Sequence, residues 1–140
     1  MNTNKTIIKM EDTKVKLSTL WIFVMFNMAF ADIVGFMNPG ALEDIISGGV
    51  GFEITPGLLL IFSIALEIPI AMIFLSRILK HSVNRWTNII AGVITILFVI
   101  GGGNTSLSYI FFATIEVVCM LLIVWYAWKW SAPAGSPVTA

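Results

Sequence analysis

Hydrophobic and polar positions along the chain alternate in long blocks rather than residue by residue. Four apolar runs cover residues 17–38, 56–79, 86–102 and 107–128, with polar breaks between them. Each run is close to the ~20 residues that a helix needs to cross the hydrocarbon of a bilayer. Ser18 near the start of the first run and Asn38-Pro39-Gly40 at its end are start and stop signals for a helix. Pro56 opens the second run, where its missing N–H would have no partner in a first helical turn anyway. Gly101-Gly102-Gly103-Asn104 ends the third. The pattern predicts an all-α fold: an integral membrane four-helix bundle over residues 17–130.

The breaks differ from one another in chemistry. Residues 1–16 form a polar segment ahead of the bundle, read as cytoplasmic. The first apolar run is long and lacks an Ala-x-Ala-like site, so it reads as a retained helix and not as a cleaved signal peptide. Residues 39–55 contain Glu43, Asp44 and Glu53 and no basic residue. They predict a short amphipathic helix from Ala41 to Ile46, then a break at Gly48-Gly49-Val50-Gly51. Connections of that length often have a role of their own, as a cap over the bundle or as a gate. Residues 77–86 (RILKHSVNRW) make a tight basic connection, and residues 131–140, with Pro133, Gly135 and Pro137, predict a disordered tail.

Composition supports the membrane assignment and charge orients it. Of 140 residues, 58% are hydrophobic and 11% charged, where a soluble domain is roughly a quarter charged. Lys5, Lys9, Lys14, Lys16, Arg77, Lys80, Arg85 and Lys129 all fall on the side of both termini, and the acids of residues 39–55 fall on the other. Positive residues in short loops stay in the cytoplasm, so both termini are expected inside a cell inner (plasma) membrane. Trp21, Trp86, Trp125, Trp128 and Trp130 cluster toward the same end, as aromatic belts do. The scattered basic residues form no stripe for nucleic acid. The single cysteine, Cys119, excludes an internal disulfide and reads as a buried packing residue; the single histidine, His81, reads as a solvated loop residue. No cofactor, metal site or catalytic group is expected.

Polar groups inside the runs are the candidate chemistry. Glu67 lies ~16 Å along its helix from Pro56, and Glu116 ~17 Å from Thr105, which puts both near the middle of a core ~30 Å thick. Asn27 reaches a similar depth, and Asp32 is shallower, ~8 Å from the outer end. Ser63 stands one turn from Glu67, and Pro69 leaves the carbonyl of Ala65 without its helical partner. Ionisable side chains at such depth are costly and are seldom idle. Asp32, Glu67 and Glu116, with Asn27 and Ser63, are therefore the expected lining of an acidic intramembrane pocket for a small apolar or cationic ligand. The bland alternative is that each carboxyl simply hydrogen-bonds between helices. Aligning Glu67 with Glu116 also pairs Leu58 with Leu107 and Phe62 with Phe111, which suggests a parallel repeat of two-helix hairpins.

Several stretches taken together resemble a known family: KLSTLW at Lys16 to Trp21, Asp32…Gly35…Pro39-Gly40, MIFLS at Met72 to Ser76, NRWTNII at Asn84 to Ile90, and YIFFATIEVV with LIVWYAW between Tyr109 and Trp128. Over residues 14–130 the chain resembles the DUF6326 family of small bacterial four-helix membrane proteins, a domain of unknown function. The resemblance implies four helices, an acid late in the first (here Asp32) and an acid in the last (here Glu116). Glu67 is not part of that pattern, and the resemblance brings no activity.

Three functions compete on this footing. One is a module that binds or passes a small molecule or lipid through the acidic pocket. Another is an accessory membrane subunit assembling with itself, with Gly92 and Gly101-Gly102-Gly103 offering close helix contact. The weakest is a membrane isomerase-type enzyme using paired carboxyls, for which no histidine, arginine or metal motif offers support.

Overall fold

The computed structural model describes residues 2–49 and 53–131. Among them the chain forms five helices: α1 (Asn2–Phe36), α2 (Ala41–Ser47), α3 (Pro56–Ile78), α4 (His81–Gly101) and α5 (Leu107–Lys129). α1 packs against α3 and α5, and α4 closes the ring by packing against the same two helices. The result is an up-and-down four-helix bundle, with the short α2 touching only α1 among the strongly packed pairs. All four long helices are long and apolar enough to cross a membrane.

Two helices start earlier than the apolar pattern predicts. α1 begins at Asn2 and not at Leu17, because nothing before Gly35 breaks it. Lys16 reaches Asp12 at 2.7 Å and Lys14 reaches Glu11 at 3.4 Å, the spacings at which charges on one helical face support each other. The polar segment is thus the first four turns of a continuous helix. α4 begins at His81 and not at Trp86, with the Asn84 amide already closing a turn on Lys80. Only Leu79 and Lys80 separate α3 from α4. α2 forms where a short helix is expected and is bracketed by Gly40 (φ 84°) and Gly48 (φ 75°), both in the left-handed region that glycine enters without steric cost. Val50 and Gly51 of the glycine break, and residues 132–140 of the tail, lie outside the described residues.

The core is spaced in steps of four and three along each helix. Leu17, Trp21, Val24 and Met28 on α1 face Met120, Ile123, Ala127 and Trp130 at α5, and Met72 joins from α3; all are buried. That spacing gives the shallow helix crossings of four-helix bundles. α4 has its polarity reversed relative to a helix in water. Its buried positions include Asn84, Asn88, Gly92 and Thr95, while Trp86, Ile90, Ile94 and Leu97 are exposed. Small and polar residues inside with apolar residues outside is how helices pack when lipid, not water, surrounds them.

Glycine sets one of the closest approaches. A Cβ added to Gly92 would stand 2.9 Å from Val124 Cγ2 on α5. The small surface of Gly92 is consumed inside the chain, so it is not free to receive another helix. At the opposite end the Tyr109 hydroxyl donates to the Val99 carbonyl and pins the start of α5 to the end of α4. Tyr109→Phe is expected to lower stability by about 1 kcal/mol, the usual size of one interhelical hydrogen bond. Reversible unfolding in SDS–detergent mixtures measures this directly.

Candidate functional site

Sequence order does not predict which polar groups the bundle closes around. The largest buried polar cluster lies toward the basic end and contains no acid. Asn88 is its centre. Its Oδ1 accepts from Trp21 Nε1 at 2.8 Å and from Ser76 Oγ at 3.1 Å. Its Nδ2 donates to Asn84 Oδ1 at 2.6 Å and to the Asn84 carbonyl at 2.9 Å. Asn84 Nδ2 donates in turn to the Ser76 carbonyl at 2.7 Å, and Ser18 Oγ donates to the Ile73 carbonyl at 2.8 Å. These bonds tie α1, α3 and α4 together. The Asn88 amide makes four hydrogen bonds and has none left to offer a ligand. It is a structural clasp.

Two tryptophans and the histidine also depart from the sequence expectation. Trp21 and Trp130 are buried, so only Trp86, Trp125 and Trp128 remain on the outside. His81 is not free in a loop: it opens α4, is half-buried, sits 3.0 Å by Nε2 from the Trp130 carbonyl and packs edge-on against that ring at 4.7 Å. Arg85 lies over Trp86 and Trp128 at 6.0 and 5.7 Å, and Lys129 over Trp125 at 4.4 Å. Cations stacked on indole faces at one end of the bundle match the composition of a membrane–water boundary.

The acids divide. Glu116 continues the buried seam of α5 and is 4% exposed. Its Oε1 is buried and has no hydrogen-bond partner, a condition shared among the described residues only by Arg85 Nε and Trp130 Nε1. Asp32 on α1 lies in the neighbourhood of Glu116 and Tyr109. Asp32 itself is exposed at the side of the bundle. Asn27 is half-buried and donates to the Phe23 carbonyl of its own helix at 2.9 Å. Glu67 and Ser63 are exposed on α3, Ser63 donating to the Leu59 carbonyl at 2.8 Å. The structure therefore brings Asp32 toward Glu116 and leaves Glu67 and Ser63 on the outside. Among the described residues no three His, Cys, Asp or Glu side chains converge to hold a metal ion. Cys119 is buried beside Glu116.

An open groove of about 450 Å³ runs between the end of α4 and the start of α5. Val99, Gly103, Asn104, Tyr109, Ala113 and Val117 are among its lining residues. Its volume falls in the range of small-molecule sites. Along α5 the groove is lined by Tyr109, Ile110, Ala113, Thr114, Val117 and Val118, and Glu116 is not among its lining residues. Asn104 shapes its mouth, accepting from the Ser106 amide at 2.9 Å and from the Ser106 hydroxyl at 2.6 Å.

No curated protein and no solved structure matches the chain. A family-level match covers residues 5–135, which include all of α3, α4 and α5, α1 from Lys5 onward, the clasp, Asp32 and Glu116. By that match the chain belongs to the family described as a family of unknown function, DUF6326.

Proposed function

We propose that the chain is an integral membrane protein with four spanning helices and both termini in the cytoplasm, and that it binds a small apolar cation at the buried Glu116 carboxyl, with the groove between α4 and α5 as neighbouring apolar surface. The observation that carries this reading is Glu116, buried on the α5 seam with an oxygen that no protein donor satisfies. A carboxyl in that condition takes up a proton or attracts a positive group, and in a low-dielectric interior the attraction is weakly screened. Asp32 adds negative charge from α1. The apolar walls of the groove suit the body of such a cation, and Tyr109 and Asn104 supply polar contacts at its outer end. The asymmetric distribution of lysine and arginine and the exposed apolar exterior support the membrane placement.

Binding of tetraphenylphosphonium to the purified protein in detergent tests this. Glu116→Gln, which keeps size and hydrogen bonding but removes the charge, is expected to weaken binding at least about tenfold, equivalent to about 1.4 kcal/mol. Glu67→Gln, on the outside of α3, is expected to leave it unchanged. Equal affinity of the original protein and Glu116→Gln would overturn the proposal.

A further inference from the structure

Of the three buried polar atoms that lack a partner among the described residues, two belong to the basic end of the bundle: Arg85 Nε and Trp130 Nε1. Both are N–H groups that only donate, so what each lacks is an acceptor. Trp130 is 6% exposed and Arg85 is half-buried. A buried N–H without an acceptor is costly, and a guanidinium without a counter-ion more so. The nearby sequence has no acid to offer. Beyond Glu67 the only carboxylate side chain is Glu116, in the middle of α5. Glu11 and Asp12 on α1 are engaged by Lys14 and Lys16.

The two donors belong to one junction, where α4 starts and α5 ends. His81 and Arg85 stand one turn apart on α4 and share a face. Trp130, just past α5, sets its ring against His81 at 4.7 Å and accepts from His81 Nε2 by its carbonyl at 3.0 Å. Trp128, one turn-half earlier, lies 5.7 Å from the Arg85 guanidinium, with Trp86 at 6.0 Å. The end of α5 therefore runs along the stripe formed by His81 and Arg85, and His81 holds Trp130 in place. Of the guanidinium nitrogens only Nε is sealed in without a partner, which leaves the two terminal ones as the way in. Lys80 gives α4 no side-chain cap, so the amides of its first turn add to the positive field. Lys80 and Lys129, next in sequence to His81 and Trp130, are exposed.

We infer that this junction binds a phosphate group through Arg85 and the Trp130 N–H, carried by an anionic lipid headgroup or present as free phosphate. Phosphate supplies what the two donors lack: negative charge and several acceptor oxygens around one centre. A guanidinium pairs with two such oxygens at once, and the indole N–H takes another. Exposed indoles such as Trp86 and Trp128 settle at headgroup level, so in the proposed membrane placement the junction meets the layer where lipid phosphates lie. The lipid source rests on that placement; the donor set does not, and neither involves Glu116.

Titration of the purified protein in a non-ionic detergent, followed by native mass spectrometry, tests the assignment. The probes are dioctanoylphosphatidylglycerol, dioctanoylglycerol (the same chains without phosphate) and inorganic phosphate. One equivalent of the phospholipid is expected to be retained, and dioctanoylglycerol to bind at least about tenfold more weakly. Arg85→Gln is expected to weaken phospholipid binding at least about tenfold, and Arg85→Lys, which keeps the charge without the fork, about threefold. Trp130→Phe, which keeps a ring against His81 and removes the N–H, is expected to weaken it about threefold. Lys9→Gln, the same charge change on the exposed surface of α1, is expected to leave it within about twofold. Displacement of the lipid by excess inorganic phosphate assigns the site to free phosphate, and retention assigns it to the headgroup. Retention of neither phosphate probe, unchanged affinity in Arg85→Gln or Trp130→Phe, or an equal loss in Lys9→Gln and Arg85→Gln would overturn the inference.

Discussion

Asn88→Leu is expected to lower the unfolding free energy by about 3 kcal/mol, the largest effect of any single polar substitution in the bundle. Leucine is close to asparagine in length and branching, so the loss comes from partners and not from a hole. Trp21 Nε1 loses its acceptor, Ser76 Oγ loses the bond between α3 and α4, and Asn84 Oδ1 loses its donor. Ser76 recovers part of this by turning to a carbonyl of its own helix, as Thr95 does to Ala91 at 2.8 Å. Trp21 has no such recourse, being fully buried with one N–H and one direction to aim it. Trp21→Phe combined with Asn88→Leu is therefore expected to cost less than the sum of the two, because the orphaned donor is gone. SDS-induced unfolding of the four proteins measures the coupling; strict additivity would show that the clasp does not act as a unit.

Gly92→Leu is expected to be as damaging for the opposite reason. Here the defect is excess volume: even the first added carbon meets Val124 Cγ2 at 2.9 Å, and valine is too stiff to turn away. Leucine is expected to cost about 3 kcal/mol or to prevent assembly, and alanine about 1 kcal/mol, since its higher helix propensity offsets part of the clash. Val124→Ala in the same chain is expected to restore most of the loss. If Gly92→Leu unfolds at the same SDS fraction as the original protein, α4 and α5 are not in contact at this level.

The four apolar helices are legible in the sequence because their length and composition leave few alternatives, and the short helix at Ala41 is legible from its flanking glycines. The start of α1 is not, since the polar residues from Asn2 to Lys16 carry no apolar period and their helix depends on continuity with the apolar run beginning at Leu17. The acids are visible but their directions are not. Charge marks a residue as costly wherever it lies, whereas the side of the helix it occupies depends on which neighbours pack, and Glu67 and Glu116 differ in that alone. The clasp escapes a reading centred on charge, which passes over amides. Its signal is present in α4, where Asn84, Asn88, Gly92 and Thr95 recur at intervals of four, four and three while the opposite face is apolar. Taken as an inverted amphipathic helix, that spacing points to the inside of the bundle. His81 falls in a basic stretch that suggests solvent, and only the return of α5 brings the Trp130 carbonyl to it.

The continuity of α1 has a mechanical consequence. At about 1.5 Å per residue its length is roughly 52 Å, well beyond a hydrocarbon core of about 30 Å, so in the proposed membrane placement its first turns would form a stiff spar outside the apolar zone. Rotation of the bundle about its axis is transmitted along that spar without slack. A fluorescent protein joined to it through a rigid helical splice would swing by about 100° for each residue inserted. Its polarised emission in oriented bilayers would then read out the azimuth of α1, and with it any turning of α1 against α5 when the proposed site at Glu116 is filled.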